Sequence, residues 1–190
     1  MRFDVAYPDR PLNRLTTGFR MFTVIPIAIV LCAVQTGAAF SGFMVIAPLL
    51  MIVFRRKYPR WWYDWNLQLQ RFSSRVGIYA QLLDDQYPST DEQQSLRLEI
   101  DYPDAQNELN QYLPLVKWLL AIPHYFVLLF LGIAAFFVIV FAWFAILCTG
   151  RYPRGAFDYV VGVNRWGVRV AGYAFLMVTD RYPPFSLDPA

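Results

Sequence analysis

The sequence predicts an α-helical integral membrane protein built as a tandem parallel repeat, and three observations carry that reading. Composition is the first: of 190 residues, 57% are hydrophobic and only 16% are charged, where soluble domains run near half apolar and a quarter charged. Distribution is the second, because the apolar residues fall in two long runs. The third is a duplication of one unit of about ninety-five residues.

From Met21 to Phe54 there is no Asp, Glu, Lys, Arg or His, and from Trp118 to Leu147 the only such residue is His124. About twenty apolar residues at 1.5 Å rise cross about 30 Å of hydrocarbon, so both runs qualify as membrane segments. The first run is too long for the apolar core of a signal peptide, and Asp4 and Asp9 interrupt the basic residues before it; it reads as retained. Cys32 and Cys148 lie in or at the edge of the runs and read as small hydrophobes. One histidine and two distant cysteines make no zinc site.

The duplication is ordered along the chain. Val5-Ala6-Tyr7-Pro8-Asp9 matches Ile100-Asp101-Tyr102-Pro103-Asp104, and Ile25-Pro26 matches Ile122-Pro123. Arg55-Arg56-Lys57-Tyr58-Pro59-Arg60 matches Thr149-Gly150-Arg151-Tyr152-Pro153-Arg154, and Asp85-Gln86-Tyr87-Pro88 matches Asp180-Arg181-Tyr182-Pro183. The units are 1–88 and 96–190, joined by a polar linker at 89–95.

Each unit opens with a short strand. Leu96, Leu98, Ile100 and Tyr102 alternate with Arg97, Glu99 and Asp101, a period of two; Phe3, Val5 and Tyr7 are the counterpart. The apolar run follows, then a basic Tyr-Pro-Arg turn in which proline stops the preceding helix. The last part is an amphipathic helix. Trp62, Trp65, Leu69, Phe72, Val76, Tyr79 and Leu83 recur at helical steps, as do Ala156, Tyr159, Val163, Trp166, Val170, Tyr173 and Met177. A polar stripe of Asp64, Gln68, Arg71 and Arg75 is matched by Asp158, Gly162, Arg165 and Arg169.

A run of 34 residues is about 50 Å long as one helix, more than a bilayer core accepts. Arg14, Arg20 and Lys117 precede the runs, and Arg55, Arg56, Lys57, Arg60, Arg151 and Arg154 follow them. Positive charge at both ends places both on the cytoplasmic side, so each run is expected to be a transmembrane hairpin turning near Gly37 and Gly42 or near Gly132. The result is a multi-pass protein of the cell (inner) membrane with both termini cytoplasmic. Its repeats are related by an axis along the membrane normal, and its amphipathic helices lie at the interface.

The candidate binding residues are Arg71, Arg75, Arg165 and Arg169 with Trp62, Trp65 and Trp166, which suit anionic headgroups or a partner surface. Paired with Asp64 and Asp158, the arginines also read as an ordinary ion-pair face, and that reading is preferred. His124 is the one titratable side chain in the runs; packing or an interfacial hydrogen bond is preferred over proton transfer. Ile27 stands at its place in the first unit. No catalytic set, phosphate loop or metal cluster is visible, so neither cofactor nor enzyme activity is expected. A net charge of +3 beside membrane runs suits lipid rather than nucleic acid.

At Gly150-Arg151-Tyr152-Pro153-Arg154, Asn164-Arg165-Trp166, Arg169-Val170 and Thr179-Asp180-Arg181-Tyr182-Pro183-Pro184-Phe185 the chain resembles the bacterial membrane family catalogued as domain of unknown function 4389. Ala121-Ile122-Pro123-His124 fits the same pattern. The second unit carries the clearer match. The resemblance implies a membrane protein of tandem units and supplies no activity.

The expected function is a non-catalytic accessory or scaffold subunit that joins a larger membrane assembly or self-associates. A small transport or lipid-handling protein with a path between the units is the first alternative, and a lipid-headgroup enzyme the second.

Overall fold

The computed structural model describes residues 1–40, 43–90, 92 and 94–189, with side chains at 37–40, 43–45 and 47 outside that description. Strand β1 spans Arg2–Val5 and β2 spans Leu96–Glu99. The alternation read in the sequence places Phe3, Val5, Leu96 and Leu98 inside and Arg2, Asp4, Arg97 and Glu99 outside. The strands pair antiparallel across the two units, and Phe3 stands opposite its own counterpart, Leu98.

Each unit then places an asparagine ahead of a short helix. Asn13 caps α1 (Arg14–Gly18) itself, its side chain accepting from the Leu15 and Thr16 amides. Asn110 accepts from Tyr112 and Leu113 and braces the turn that leads into α5 (Pro114–Leu120), whose N-cap Leu113 has no side-chain cap. The Asn13 cap satisfies amides that have no partner in the first turn.

The apolar runs follow. In the first unit the run forms α2 (Arg20–Phe40), with Pro26 inside, and α3 (Phe43–Arg55), with Pro48 inside. The second unit has one unbroken helix, α6 (Ile122–Thr149), with Pro123 in its first turn, where a missing N–H costs nothing. The expected hairpin is therefore overturned in the second unit. Gly132 sits inside α6 with an open flank, and one glycine without a second breaker costs only about 1 kcal/mol relative to alanine, too little to interrupt the run. Gly37 likewise lies within α2; Gly42 lies outside the described residues.

Amphipathic helices α4 (Arg60–Ala80) and α7 (Arg154–Ala174) start immediately after Pro59 and Pro153. They stop earlier than the periodicity predicts. Leu82 and Met177 take the left-handed conformation, with φ of 66° and 56°, so Leu83 and Met177 belong to the following turn, where both are buried.

The elements stack in three tiers. The strands pack on α4 and α7, α4 packs on α2, and α7 packs on α6. Charged strand residues face outward on one side. On the other side the six phenylalanines of α6, Phe126, Phe130, Phe136, Phe137, Phe141 and Phe144, are all at least 57% exposed. Two helices, Arg14–Thr36 and Ile122–Thr149, are long and apolar enough to cross a membrane.

Both ends of each apolar segment are tied back to residues flanking the strands or the C-terminal segment. The Leu12 amide donates to Gly150 at the end of α6, and the Tyr182 hydroxyl donates to Leu120 just before its start. In the first unit Arg20 donates to Asp84, and Gln111 donates to Val53 near the end of α3.

Candidate functional site

The polar interior is built twice from matching residues. In the first unit the Arg20 guanidinium, 2% exposed, pairs with Asp85, donates to the Tyr79 and Asp84 carbonyls at 3.1 and 2.6 Å, and lies 4.1 Å over the Tyr79 ring. In the second unit the Lys117 ammonium, fully buried, pairs with Asp180 at 2.6 Å, donates to Thr179 at 2.7 Å and lies 5.3 Å over Tyr173. Each carboxylate also accepts a backbone amide from the matching asparagine, Asn13 on Asp85 and Asn110 on Asp180. Burial pulls the Lys117 pKa below that of a free lysine, against the hydrogen bond and charge of Asp180. Removing either partner strands a buried charge.

These pairs were hidden in the sequence because Arg20 and Lys117 read as free charges flanking the runs. The signal was present: the two cations occupy matching places, as do Asp85 and Asp180 in the repeated Asp-x-Tyr-Pro motif.

The arginine stripe is turned toward the chain itself. Arg71 donates to the Leu98 carbonyl at 3.1 Å, and Arg165 donates to its counterpart, Phe3, at 2.9 Å. Arg75 donates to Ser89 at 2.7 Å; Arg169, 8% exposed, donates to Ser186 and to Asp188. Burial, then the neighbouring Arg165, lowers the Arg169 pKa. Arg165 also donates to Leu187 and pairs with Asp4 at 3.1 Å. Asp64 and Asp158 stay exposed, and among the described residues neither forms an ion pair. Gly162 admits the C-terminal segment against this face, since a Cβ there would lie 2.9 Å from the Leu187 Cβ.

Trp62 and Trp166 are core residues at 5% and 4% exposure, whereas Trp65 is at the edge, stacked on Trp62 with centroids 5.7 Å apart. The exposed tryptophan beside them is Trp61, at 68%, which the helical period passed over.

His124 is fully buried. Its Nδ1 accepts from the Trp166 indole at 3.2 Å, and its ring stacks on Phe185 at 4.0 Å. Accepting at Nδ1 leaves Nε2 to carry the proton in the neutral ring. No metal-binding group of three or more His, Cys, Asp or Glu occurs among the described residues.

Two further bonds cross between units. The Tyr7 hydroxyl donates to the Tyr152 carbonyl, and the Tyr102 hydroxyl donates to the Tyr58 carbonyl, each at 2.5 Å. Arg154 lies 4.3 Å over the Tyr7 ring and Arg60 lies 5.0 Å over Tyr102. Gly150 and Arg56, at matching places in the turns, share the left-handed conformation with φ of 74° and 48°.

Comparison with curated proteins and with solved structures returns no match. The family described as domain of unknown function (DUF4389) matches residues 14–90 and again residues 114–186. Those matches hold both buried cation–carboxylate pairs and both amphipathic helices. The chain belongs to this family, as two tandem copies of its domain.

Proposed function

We propose that the chain is an integral, non-catalytic membrane accessory protein that seats its apolar tier in the bilayer and joins a larger membrane assembly or a second copy of itself. The observation that carries the reading is the outer face of α6. Its six exposed phenylalanines would each gain about 1.5–3 kcal/mol on leaving water, together comparable to the whole stability of about 5–15 kcal/mol of an ordinary domain. A face that costly requires an apolar surrounding.

The tiers favour a particular seat. Both ends of α2–α3 and of α6 are tied to residues beside the strands or the C-terminal segment, and the strands carry exposed charge. Lying along one membrane face keeps those charges in water while the apolar tier of α2, α3 and α6 sits in the acyl region. That seat also accounts for basic residues at both ends of the runs without a hairpin. It gathers the N-terminus, Ser89 and Leu187, which meet the strands and the arginine stripe, on the cytoplasmic side favoured by positive charge.

The buried ion pairs and the inward arginines support a structural role, because they spend their charge on the chain's own carbonyls and carboxylates. The test is purification from native membranes in mild detergent. A stoichiometric membrane partner or a defined homo-oligomer supports the scaffold reading; a monomer that carries lipid alone replaces it with lipid handling.

A further inference from the structure

The C-terminal end of α6 joins two parts of the chain that are far apart in sequence. Gly150 closes the helix in the left-handed conformation, and its carbonyl accepts the Leu12 amide at 2.8 Å. That bond folds the segment after β1 over the helix end. The Arg14 guanidinium then packs on Gly150, where a Cβ would lie 3.7 Å from its Nε.

A cavity of about 370 Å³ results, lined by Tyr7, Asp9, Arg10, Arg151, Tyr152 and Arg154 among others. Three guanidiniums, those of Arg10, Arg151 and Arg154, line it with one carboxylate, Asp9. Among the described residues, no ion pair within 4 Å involves Arg10, Arg14, Arg151 or Arg154. Three like charges around one cavity, faced by a single carboxylate, repel unless a further anion sits among them, and the planar guanidinium fork matches phosphate oxygens.

The surroundings supply the rest of the ligand. Helix α1 packs on this end of α6, with the Trp143 indole donating to Thr17 at 3.0 Å. Leu15 of α1 and Phe19 at its end are exposed at 72% and 59%, and Phe141 and Phe144 of α6 at 63% and 57%. A phosphate among the arginines is thus continuous with an apolar surface suited to acyl chains.

The opposite junction, at the end of α3, differs. Arg56 there is held by Gln111 at 3.0 and 3.1 Å.

Resting on the membrane reading above, we propose that this cavity binds the headgroup phosphate of one anionic glycerophospholipid, whose chains lie along the ends of α1 and α6. The test uses the full chain in nonionic detergent, with phosphatidylglycerol or phosphatidylcholine added and retained lipid read by native mass spectrometry. The variants are Arg10→Gln with Arg151→Gln, whose guanidiniums make no hydrogen bond among the described residues, and Arg55→Gln with Lys57→Gln as an equal change of charge at the other end.

One retained phosphatidylglycerol is expected, weakened about tenfold or more in the first variant and within about twofold in the second, with phosphatidylcholine not retained. Millimolar inorganic phosphate should not displace it. Unchanged retention in the first variant, an equal loss in the second, or displacement by phosphate would overturn the site. Partition into phosphatidylcholine liposomes is read in parallel. A wild-type chain that stays in water defeats the membrane reading itself, whereas a variant that partitions and keeps its phosphatidylglycerol defeats this inference alone.

Discussion

The hydroxyl of Tyr7 donates to the carbonyl oxygen of Tyr152 at 2.5 Å, across 145 residues of chain. Tyr102 repeats the bond on Tyr58, so each unit's post-strand segment is fastened to the other unit's Tyr-Pro-Arg turn. With Phe3 opposite Leu98, and with Arg71 and Arg165 each holding the other unit's strand, neither copy completes its own strand tier.

Tyr7→Phe and Tyr102→Phe should each lower stability by about 1 kcal/mol, the ordinary net contribution of one such bond. The two bonds share no partner, so the double variant should lose the sum within about 0.5 kcal/mol. Thermal unfolding in detergent measures this. An unchanged midpoint in the double variant would show that water replaces the hydroxyls at no cost.

Asp180→Asn leaves the Lys117 ammonium buried without its counter-charge and should cost about 3–5 kcal/mol. The sign of its pH dependence follows from the depressed lysine. Between the folded pKa and the unfolded value of about 10.4, the unfolded chain binds more protons, so stability rises with pH. Without Asp180, which holds the pKa up, that window widens downward. The Asn variant minus wild type should therefore recover stability as the solution becomes alkaline. A difference independent of pH would mean that Lys117 reaches water.

His124→Gln should cost about 1–3 kcal/mol, because it disturbs a fully buried ring that accepts from Trp166 and stacks on Phe185. The sequence suggests a smaller loss, since Ile27 fills the matching place. In the first unit, however, Phe72 stands at the place of Trp166 and has no N–H to satisfy. The pair His124→Ile with Trp166→Phe should thus recover part of the cost of His124→Ile alone, with assembly retained. Assembly and stability intact but cellular function lost in His124→Gln would assign the histidine a chemical role.

Much of this was legible in the residues. Alternation at Leu96–Glu99 gave β2 with its inside and outside correct, and steps of three and four placed Trp62, Phe72, Val76 and Tyr79 on the buried face of α4. The hairpin expected of the second unit rested in part on Lys117 as a free flanking charge, whereas Lys117, like Arg20 in the first unit, is in a buried ion pair. Pattern reading sees charge but not the carboxylate sixty-odd residues away that neutralises it. The same limit applied to the arginine stripe. Its helical spacing was correct, while the acceptors, strand carbonyls of the other unit for Arg71 and Arg165 and loop carbonyls for Arg75 and Arg169, have no signature in side-chain order.

The central claim is that the outer face of α6 lies in lipid, along one side of the membrane. Nitroxide labels placed singly at Phe126, Phe130, Ile133, Phe137, Phe141 and Phe144, in a chain reconstituted into liposomes, test it through their accessibility to oxygen against a water-soluble nickel chelate. All six should be reached by oxygen and shielded from nickel, at similar shallow depth along the helix. A depth that peaks near Ile133 would mean that α6 crosses the bilayer, and accessibility to nickel along the whole face would contradict a membrane seat altogether.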